Sequence, residues 1–301
     1  MAQIIEVIKS LELEKRLLPS NNPEITWFYI FFPAIISYFA LLSNYINTKP
    51  IGGTIIAYNQ VKMNKIFNLA SSKVELIYSN DDYSLPSHYE GPIWVENEDG
   101  QGYLLFSNSK HNKIYKWEEG KGLFSVGRTI YANNSGCYSN ETHCQSFNEV
   151  GSNGLLRLPL FYLDNKTPNA IDYLVCQHGE RAISLFKENG TRIAIATHYK
   201  GRRLNSPNDI IMTPEGHIYF TDPPYGLYHK ETNKITNREL PFNGIYYLNS
   251  TCLLEAIRTG NPSPGVKLVH KDLVRPNGLA FSPDYRYDLY VYVCFMCYID
   301  V

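Results

Sequence analysis

Asn205-Ser206-Pro207-Asn208-Asp209-Ile210 introduces an apolar segment, and three other short turn signatures do the same elsewhere in the chain. These are Tyr89-Glu90-Gly91-Pro92-Ile93-Trp94, Gly151-Ser152-Asn153-Gly154-Leu155 and Arg275-Pro276-Asn277-Gly278-Leu279. Glu90, Asn153, Asn208 and Asn277 follow one another at intervals of 63, 55 and 69 residues. A repeat of that size, with several short strands in each unit, is typical of a β-propeller. The sequence therefore predicts an all-β fold.

Short apolar runs bounded by turn residues follow each signature. They are YLLFS, KIYKW and LFSV in the first unit, IDYLVCQ, AISLF and RIAIATHY in the second, DIIMT, HIYFT, GIYYL and VKLVH in the third, and GLAFS and LYVYV in the fourth. Such runs are expected of antiparallel strands joined by tight turns. KVELIY, at 73–78, is predicted to be a strand before the first signature. Residues 73–301 are thus predicted to form about four blades, the last of which has only begun when the sequence stops.

Composition indicates one large domain and argues against nucleic acid as a partner. The chain has 301 residues, 44% of them hydrophobic, which is enough for a sizeable core. Its formal charge is −1, from 28 basic and 29 acidic residues, without a long basic run. A nucleic-acid-binding domain would show a basic patch or stripe.

The N-terminal part of the sequence predicts a membrane anchor. Residues 25–42 are dominated by apolar side chains and are just long enough to span the hydrocarbon core as a helix. We therefore expect a cytoplasmic polar leader over residues 1–24, a transmembrane signal anchor over 25–45 and a stem over 46–72. A cleaved signal peptide and a buried core helix are the alternatives. With the anchor, the membrane would be a partner of this protein.

Glycosylation acceptor patterns predict that the propeller is lumenal or extracellular. Each of them has Asn two residues before Ser or Thr. The five acceptors are Asn133, Asn140, Asn165, Asn189 and Asn249. We therefore expect the protein to be a single-pass membrane glycoprotein, or a secreted glycoprotein if the anchor is cleaved.

The cysteines agree with an oxidising compartment. Their number is even, at six, and Cys137 and Cys144 are close enough in sequence to close a small disulfide loop. Cys176 lies in the apolar run IDYLVC and is expected to be a buried thiol.

Three of the signature residues are candidate metal ligands. In a propeller, the first strands of the blades converge on one axis, so Glu90, Asn208 and Asn277 are predicted to approach one another. Carboxylate and amide oxygens suit a hard cation such as Ca²⁺. Such an ion could polarise a carbonyl group and activate water, as in metal-assisted hydrolysis. The alternative for each Asn is ordinary turn chemistry, because Asn tolerates left-handed geometry.

Two further polar residues follow a strand in CQHGERAI. His178 and Arg181 could orient a hydroxylated substrate, or could form ordinary loop hydrogen bonds. Asp222, after IYFT, is expected to cap a turn. A phosphate-binding loop and a nucleophile elbow are both missing from the sequence.

Together these motifs resemble the senescence marker protein/gluconolactonase family of six-bladed lactonohydrolase propellers. The motifs are YEGPIW, LLFSN, GSNGLL, LVCQHGERAIS, GRRLNSPNDI, GHIYFTDPPYG, NGIYYL and LVRPNGLAFSPD. The resemblance implies a channel with a divalent ion, usually Ca²⁺, and the opening of lactone rings by water. It implies that Glu90 and Asn277 are metal ligands and that Asn208 lies at the metal or the substrate. It also implies that His178 and Arg181 line the substrate pocket.

One family feature has no counterpart in this sequence. The family's presumed general base is an Asp from a later blade, and that position lies beyond Val301. The catalytic residue is therefore unassigned, and the expected activity is metal-dependent hydrolysis of a small sugar-type lactone. The alternatives are an inactive propeller that acts as a binding or scaffold module and a propeller similar to strictosidine synthase.

Overall fold

A computed structural model describes residues 88–96, 102–118, 122–125, 134–138, 144–159, 172–187, 189–281 and 289–293. The described segments are mostly β-strands. The first eight strands are β1 (Tyr89–Glu96), β2 (Gly102–Asn108), β3 (Lys113–Glu118), β4 (Gly122–Ser125), β5 (Ser152–Arg157), β6 (Tyr173–Gln177), β7 (Ala182–Phe186) and β8 (Arg192–Ala196). The others are β9 (His198–Tyr199), β10 (Arg202–Arg203), β11 (Ile210–Met212), β12 (Ile218–Asp222), β13 (Gly244–Leu248), β14 (Lys267–His270), β15 (Pro276–Phe281) and β16 (Leu289–Val293).

The strands form antiparallel sheets whose order follows the chain. Three sheets have four strands each, β1 to β4, β5 to β8 and β11 to β14, and β15 pairs with β16. The short β9–β10 hairpin leads from the second sheet to the third. This succession of four-stranded meanders is propeller-like and confirms the all-β prediction. The predicted strand at 73–78 lies outside the described residues.

An irregularity recurs in the first strand of three of these sheets. The register against the neighbouring strand shifts between Glu90 and Ile93, between Ser152 and Leu155, and between Pro276 and Leu279. In each case the first strand contains one residue more than its partner, which is a β-bulge. The bulges coincide with the turn signatures, so the sequence repeat corresponds to a structural repeat.

Apolar side chains fill the spaces between neighbouring sheets. One buried cluster joins the first and second sheets and includes Val95, Leu105 and Val175. A larger cluster joins the second and third sheets and includes Ile183 and Phe220. The sheets therefore pack face to face through strand residues that the apolar runs predicted.

The third sheet contains a helix that the sequence analysis did not predict. Helix α1 (Ser250–Thr259) connects β13 to β14. The side-chain oxygen of Asn249 accepts a hydrogen bond from the backbone N–H of Cys252, and Gly260 ends the helix with φ of 72°. Leu253 and Ala256 pack into the larger core cluster. Burial of this face therefore stabilises the helix.

In the described part of the chain, every helix is too short or too polar to cross a membrane. The predicted anchor, residues 25–45, lies outside that part, as do the leader and the stem.

Candidate functional site

The signatures of the first three sheets touch one another. A methyl group placed on Gly91 would lie 2.3 Å from the carbonyl oxygen of Asn153. The backbone N–H of Gly154 donates a hydrogen bond of 2.7 Å to the carbonyl oxygen of Asn208. Glycine is needed at position 154 because a side chain would lie 2.7 Å from that same oxygen. The first strands β1, β5 and β11 therefore lie side by side.

Asp209 attaches the fourth signature to this row. Its carboxylate accepts hydrogen bonds from the backbone N–H groups of Leu279, at 2.7 Å, and Ile210, at 2.9 Å. Thr221 donates a further hydrogen bond of 2.8 Å to the carbonyl oxygen of Asn277. Burial raises the pKa of Asp209 to about 6. All four signatures thus form one continuous row of neighbours, the inner row.

Asn208 contributes an unpartnered oxygen to the inner row. The residue is 1% exposed, and its Oδ1 atom is buried without a hydrogen-bond partner among the residues described. Its backbone is fully used, with the N–H bound to Thr221 and the carbonyl bound to Gly154. A buried polar oxygen without a partner is unfavourable unless a ligand supplies one.

Asn277 is paired with a tyrosine that the sequence reasoning missed. Its side-chain nitrogen donates a hydrogen bond of 3.4 Å to the hydroxyl of Tyr225. Tyr225 begins a 3₁₀ turn (Tyr225–Leu227) after β12. Burial raises the pKa of Tyr225 to about 12, so its hydroxyl stays protonated at neutral pH.

Glu90 belongs to a carboxylate–imidazole–carboxylate cluster. His88 contacts Glu90 through Nε2 and Glu149 through Nδ1, both at 2.8 Å. Burial lowers the pKa of His88, but the two carboxylates outweigh that effect and raise it well above its ordinary value. For Glu149, burial raises the pKa, yet His88 and His178 lower it overall. At neutral pH, a positive imidazolium therefore holds two negative carboxylates together.

His178 lies beside this cluster. Its side chain is fully buried, with Nε2 at 3.4 Å from the side-chain nitrogen of Asn153 and Nδ1 at 3.9 Å from Glu149. Burial lowers the pKa of His178, so the imidazole is neutral at neutral pH. The structure thus places His178 next to the inner row through Asn153, and its predicted role in orienting a substrate stays a prediction.

Arg181 binds backbone carbonyl groups of neighbouring loops. Its guanidinium donates hydrogen bonds to the backbone carbonyls of Leu204, Asn237 and Arg203, at 2.6, 2.9 and 3.4 Å. One of its nitrogens lies 3.7 Å from the carboxylate of Glu239. These contacts tie the turn after β6 to two other loops. Its predicted role in substrate binding stays a prediction, and its observed contacts hold loops in place.

Asp222 is the buried last residue of β12, and its carboxylate contacts the loop before β11 rather than the turn that follows it. Its Oδ2 atom accepts a hydrogen bond of 2.7 Å from the backbone N–H of Asn205. Burial raises the pKa of Asp222 to about 7, although Arg181 and Arg238 act to lower it. Its other oxygen has no partner in the described part of the chain.

The predicted disulfide between Cys137 and Cys144 is present. It packs against the turn that carries His178, because a methyl group on Gly179 would lie 2.5 Å from Cβ of Cys137. Cys176 is a buried free thiol, as predicted.

Sequence reasoning missed His88, Glu149 and Tyr225. One signal was available, since Glu149 lies two residues before the second signature and Glu90 is the second residue of the first. The described residues hold no group of three His, Cys, Asp or Glu side chains arranged for a metal ion. The predicted metal ligands, Glu90, Asn208 and Asn277, are not a group of this kind, since two of the three are asparagines.

Two predicted glycosylation sites fall within the described residues. Asn189 is exposed, and Asn249 is half-buried with its side-chain oxygen at the start of α1. Asn133, Asn140 and Asn165 lie outside the described residues.

Comparisons with known proteins agree with the sheet arrangement. The model of the SMP-30/gluconolactonase/LRE-like region matches residues 89–292. A gluconolactonase of Zymomonas mobilis is 34% identical over 215 residues, which cover 71% of this chain and 50% of that protein. The structure of a gluconolactonase from Xanthomonas campestris superposes with a TM-score of 0.53 and 25% identity, covering 82% of this chain and 64% of the other. The chain thus spans about half the length of the curated relative that it matches.

Proposed function

The chain belongs to the SMP-30/gluconolactonase/LRE-like family, and on that basis we propose that it takes part in opening the ring of a sugar-type lactone. The complete fold would be a six-bladed propeller, of which the described sheets form a part. The observation that carries the proposal is the inner row, where Asn208 presents a buried oxygen without a partner. A ligand that supplies the missing partner would stabilise this arrangement.

A hard divalent cation, Ca²⁺ or a similar ion, fits the residues of the inner row. We propose that Glu90, Asn208 and Asn277 hold it through their side-chain oxygens, which are the ligand types that such ions prefer. When bound, the ion would polarise the lactone carbonyl.

The surrounding side chains of this chain have separate roles in the proposal. His88 compensates the charges of Glu90 and Glu149 and keeps both carboxylates at the inner row. His178 is buried and neutral, and it would orient a substrate hydroxyl together with Asn208. Arg181 would keep the turn that carries His178 in place through its bonds to loop carbonyls.

Lactone turnover tests the proposal directly, because ring opening releases an acid that a pH-stat measures. With glucono-δ-lactone as the probe, we expect hydrolysis faster than the uncatalysed rate, an excess that a chelator removes and Ca²⁺ restores. Glu90→Ala and Asn277→Ala should abolish it. Asn261→Ala is the matched control, since Asn261 is exposed and lies in the loop between α1 and β14, outside all four signatures. Hydrolysis above the uncatalysed rate that resists the chelator and survives both substitutions would contradict the proposed metal site.

The second candidate function is binding without turnover. It is favoured by the His88 contacts, which occupy one oxygen of Glu90 and one of Glu149. Saturable binding of a lactone to a chain that does not hydrolyse it, with or without Ca²⁺, would support this function instead.

We also propose that residues 25–45 anchor the protein and that the propeller is a lumenal or extracellular glycoprotein. The Cys137–Cys144 disulfide supports this location, because such bonds persist in oxidising compartments. Removal of N-linked glycans should lower the apparent mass of protein made in a secretory host, and Asn189→Gln should remove part of that shift.

A further inference from the structure

A cavity of about 400 Å³ lies beside the inner row. Five segments enclose it: the segment before β5 that carries Phe147, the turn after β6, the β9–β10 hairpin, the 3₁₀ turn after β12 and the loop at 237–239. Its volume is within the range of small-molecule pockets, about 300–1,000 Å³. The residues that matter for its chemistry are Phe147, Arg181, Arg203, Leu227, Arg238 and Glu239. His178 also lines it, whereas none of the proposed metal ligands does.

Two arginines of this cavity retain free hydrogen-bond donors. Arg203 uses Nη2 to bind the carbonyl of Glu180 at 2.8 Å. Arg238 uses Nε to bind the carbonyl of Leu240 and Nη2 to bind the side chain of Asn243, both at 2.7 Å. Nη1 of both guanidinium groups and Nε of Arg203 have no partner among the described residues. Both side chains are half-buried, so they are partly shielded from water.

Positive charge in the cavity exceeds negative charge. The acid in its lining, Glu239, already lies 3.7 Å from Arg181 and accepts a hydrogen bond of 2.8 Å from the backbone N–H of Arg203. Burial and the nearby charge of Arg203 lower the pKa of Arg181, as expected where cations are crowded. Asp222 lies near Arg181 and Arg238, but its pKa of about 7 leaves it only partly ionised at neutral pH. In the described part of the chain, Arg203 and Arg238 therefore have no carboxylate within ion-pair distance.

The remaining lining adds an apolar side. Phe147 and Leu227 border the cavity, and Asn237 contributes a polar group from the loop opposite. An aromatic ring and a leucine suit the C–H face of a polyhydroxylated carbon chain, whereas amide groups suit its hydroxyls.

We propose that this cavity binds a small polyol with one anionic group, such as a sugar acid or a sugar phosphate. The guanidinium groups of Arg203 and Arg238 would bind the carboxylate or phosphate, for which arginine has matching donors. Phe147 and Leu227 would contact the carbon chain. The cavity adjoins the proposed lactone site through His178, and ligand binding to it is measured without lactone hydrolysis.

Calorimetric titration of the full chain tests the site, without any turnover. The probes are gluconate, glucose 6-phosphate, inorganic phosphate and glucose. We expect gluconate or glucose 6-phosphate to bind at one site per chain and more tightly than glucose or inorganic phosphate. Arg203→Gln and Arg238→Gln should each weaken that binding about tenfold, because each removes a charge-assisted interaction. Arg258→Gln, on the exposed face of α1, should leave it unchanged.

Other outcomes decide against the proposal. Glucose binding as tightly as gluconate would show that the arginines do not select an anion. Inorganic phosphate binding as tightly as glucose 6-phosphate would show that the polyol is not recognised. Unchanged affinity in both arginine variants, or no binding of any probe at millimolar concentration, would also overturn it. Arg203→Lys guards against misfolding, since it retains the charge and should recover part of the affinity.

Discussion

At the scale of single residues, the inner row and the end of β12 contain polar groups whose environment opposes their usual state. Asn208 has a buried oxygen without a partner, and Asp209 and Asp222 are carboxyls whose pKa burial raises to about 6 and about 7. Such groups reduce stability unless a ligand or a proton compensates them. A ligand should therefore stabilise the protein through Asn208, and pH should change its stability through the carboxyl groups.

For Asn208, Ca²⁺ should stabilise the folded protein, and Asn208→Ala should reduce this effect. Without Ca²⁺, the variant should be as stable as the original protein or more stable, because it removes an unpaired buried oxygen. At about a hundred times the dissociation constant, a bound ion adds about 2.7 kcal/mol of stability. Thermal unfolding with and without Ca²⁺ measures both effects, with Asn261→Ala as the control. An equal Ca²⁺-dependent rise in melting temperature in the original protein, Asn208→Ala and Asn261→Ala would place the ion elsewhere.

Asp222 should make the protein less stable as the pH rises. Its pKa is about 7 in the folded state and 3.8 in an unperturbed chain, so between these values the folded state binds the extra proton. Stability from this group is therefore greatest below about pH 4 and falls by about 1.4 kcal/mol per pH unit up to about pH 7. Asp222→Asn should remove that slope. Urea unfolding of both proteins from pH 4 to pH 7 measures the difference, and parallel stability curves would refute it.

At the scale of elements, strands were predictable from the sequence and long-range contacts were not. Apolar runs and turn residues are local signals, so β5, β6 and β12 were all expected. Helix α1 also had local signals, Asn249 and Gly260, but they were not recognised within a polar segment. The contact between His88 and Glu149 joins residues 61 positions apart. Such a contact depends on how neighbouring sheets pack, which no local pattern specifies.

The close approach of the inner strands should make Gly154 intolerant of any side chain. In Gly154→Ala, the new methyl group would lie 2.7 Å from the carbonyl oxygen of Asn208 and 2.9 Å from Cα of Asp209. The clash is with backbone, so the strands must separate, and we expect a loss of about 1–3 kcal/mol in the free energy of unfolding. The Ca²⁺-dependent rise in melting temperature should also decrease, since Asn208 would shift.

Gly201→Ala provides the comparison for that experiment. No atom lies within 4 Å of the added methyl group, although φ is +76°. Its left-handed geometry should cost about 1 kcal/mol without any effect on Ca²⁺. Equal effects of the two substitutions on Ca²⁺ binding would show that the spacing of the inner strands is unimportant for the site.

At the scale of the whole molecule, the same signatures that supply candidate ligands also join the sheets. Gly154 bonds to Asn208, and Asp209 bonds to Leu279, so each link connects one sheet to the next. This explains why the sequence repeat was informative about the fold. A substitution at a link should therefore loosen the sheet beyond it before it unfolds the rest.

Asp209→Ala tests this coupling between sheets. The substitution leaves the N–H of Leu279 without its acceptor, while the contacts of β6 and β7 stay intact. At pH 7 we expect the amides of β15 and β16 to exchange with solvent about tenfold faster or more, since one charge-assisted hydrogen bond is lost. The amides of β6 and β7 should exchange at nearly unchanged rates. Native-state hydrogen exchange resolves the two sheets, and uniform acceleration throughout the protein would mean that Asp209 stabilises the fold as a whole rather than the fourth sheet.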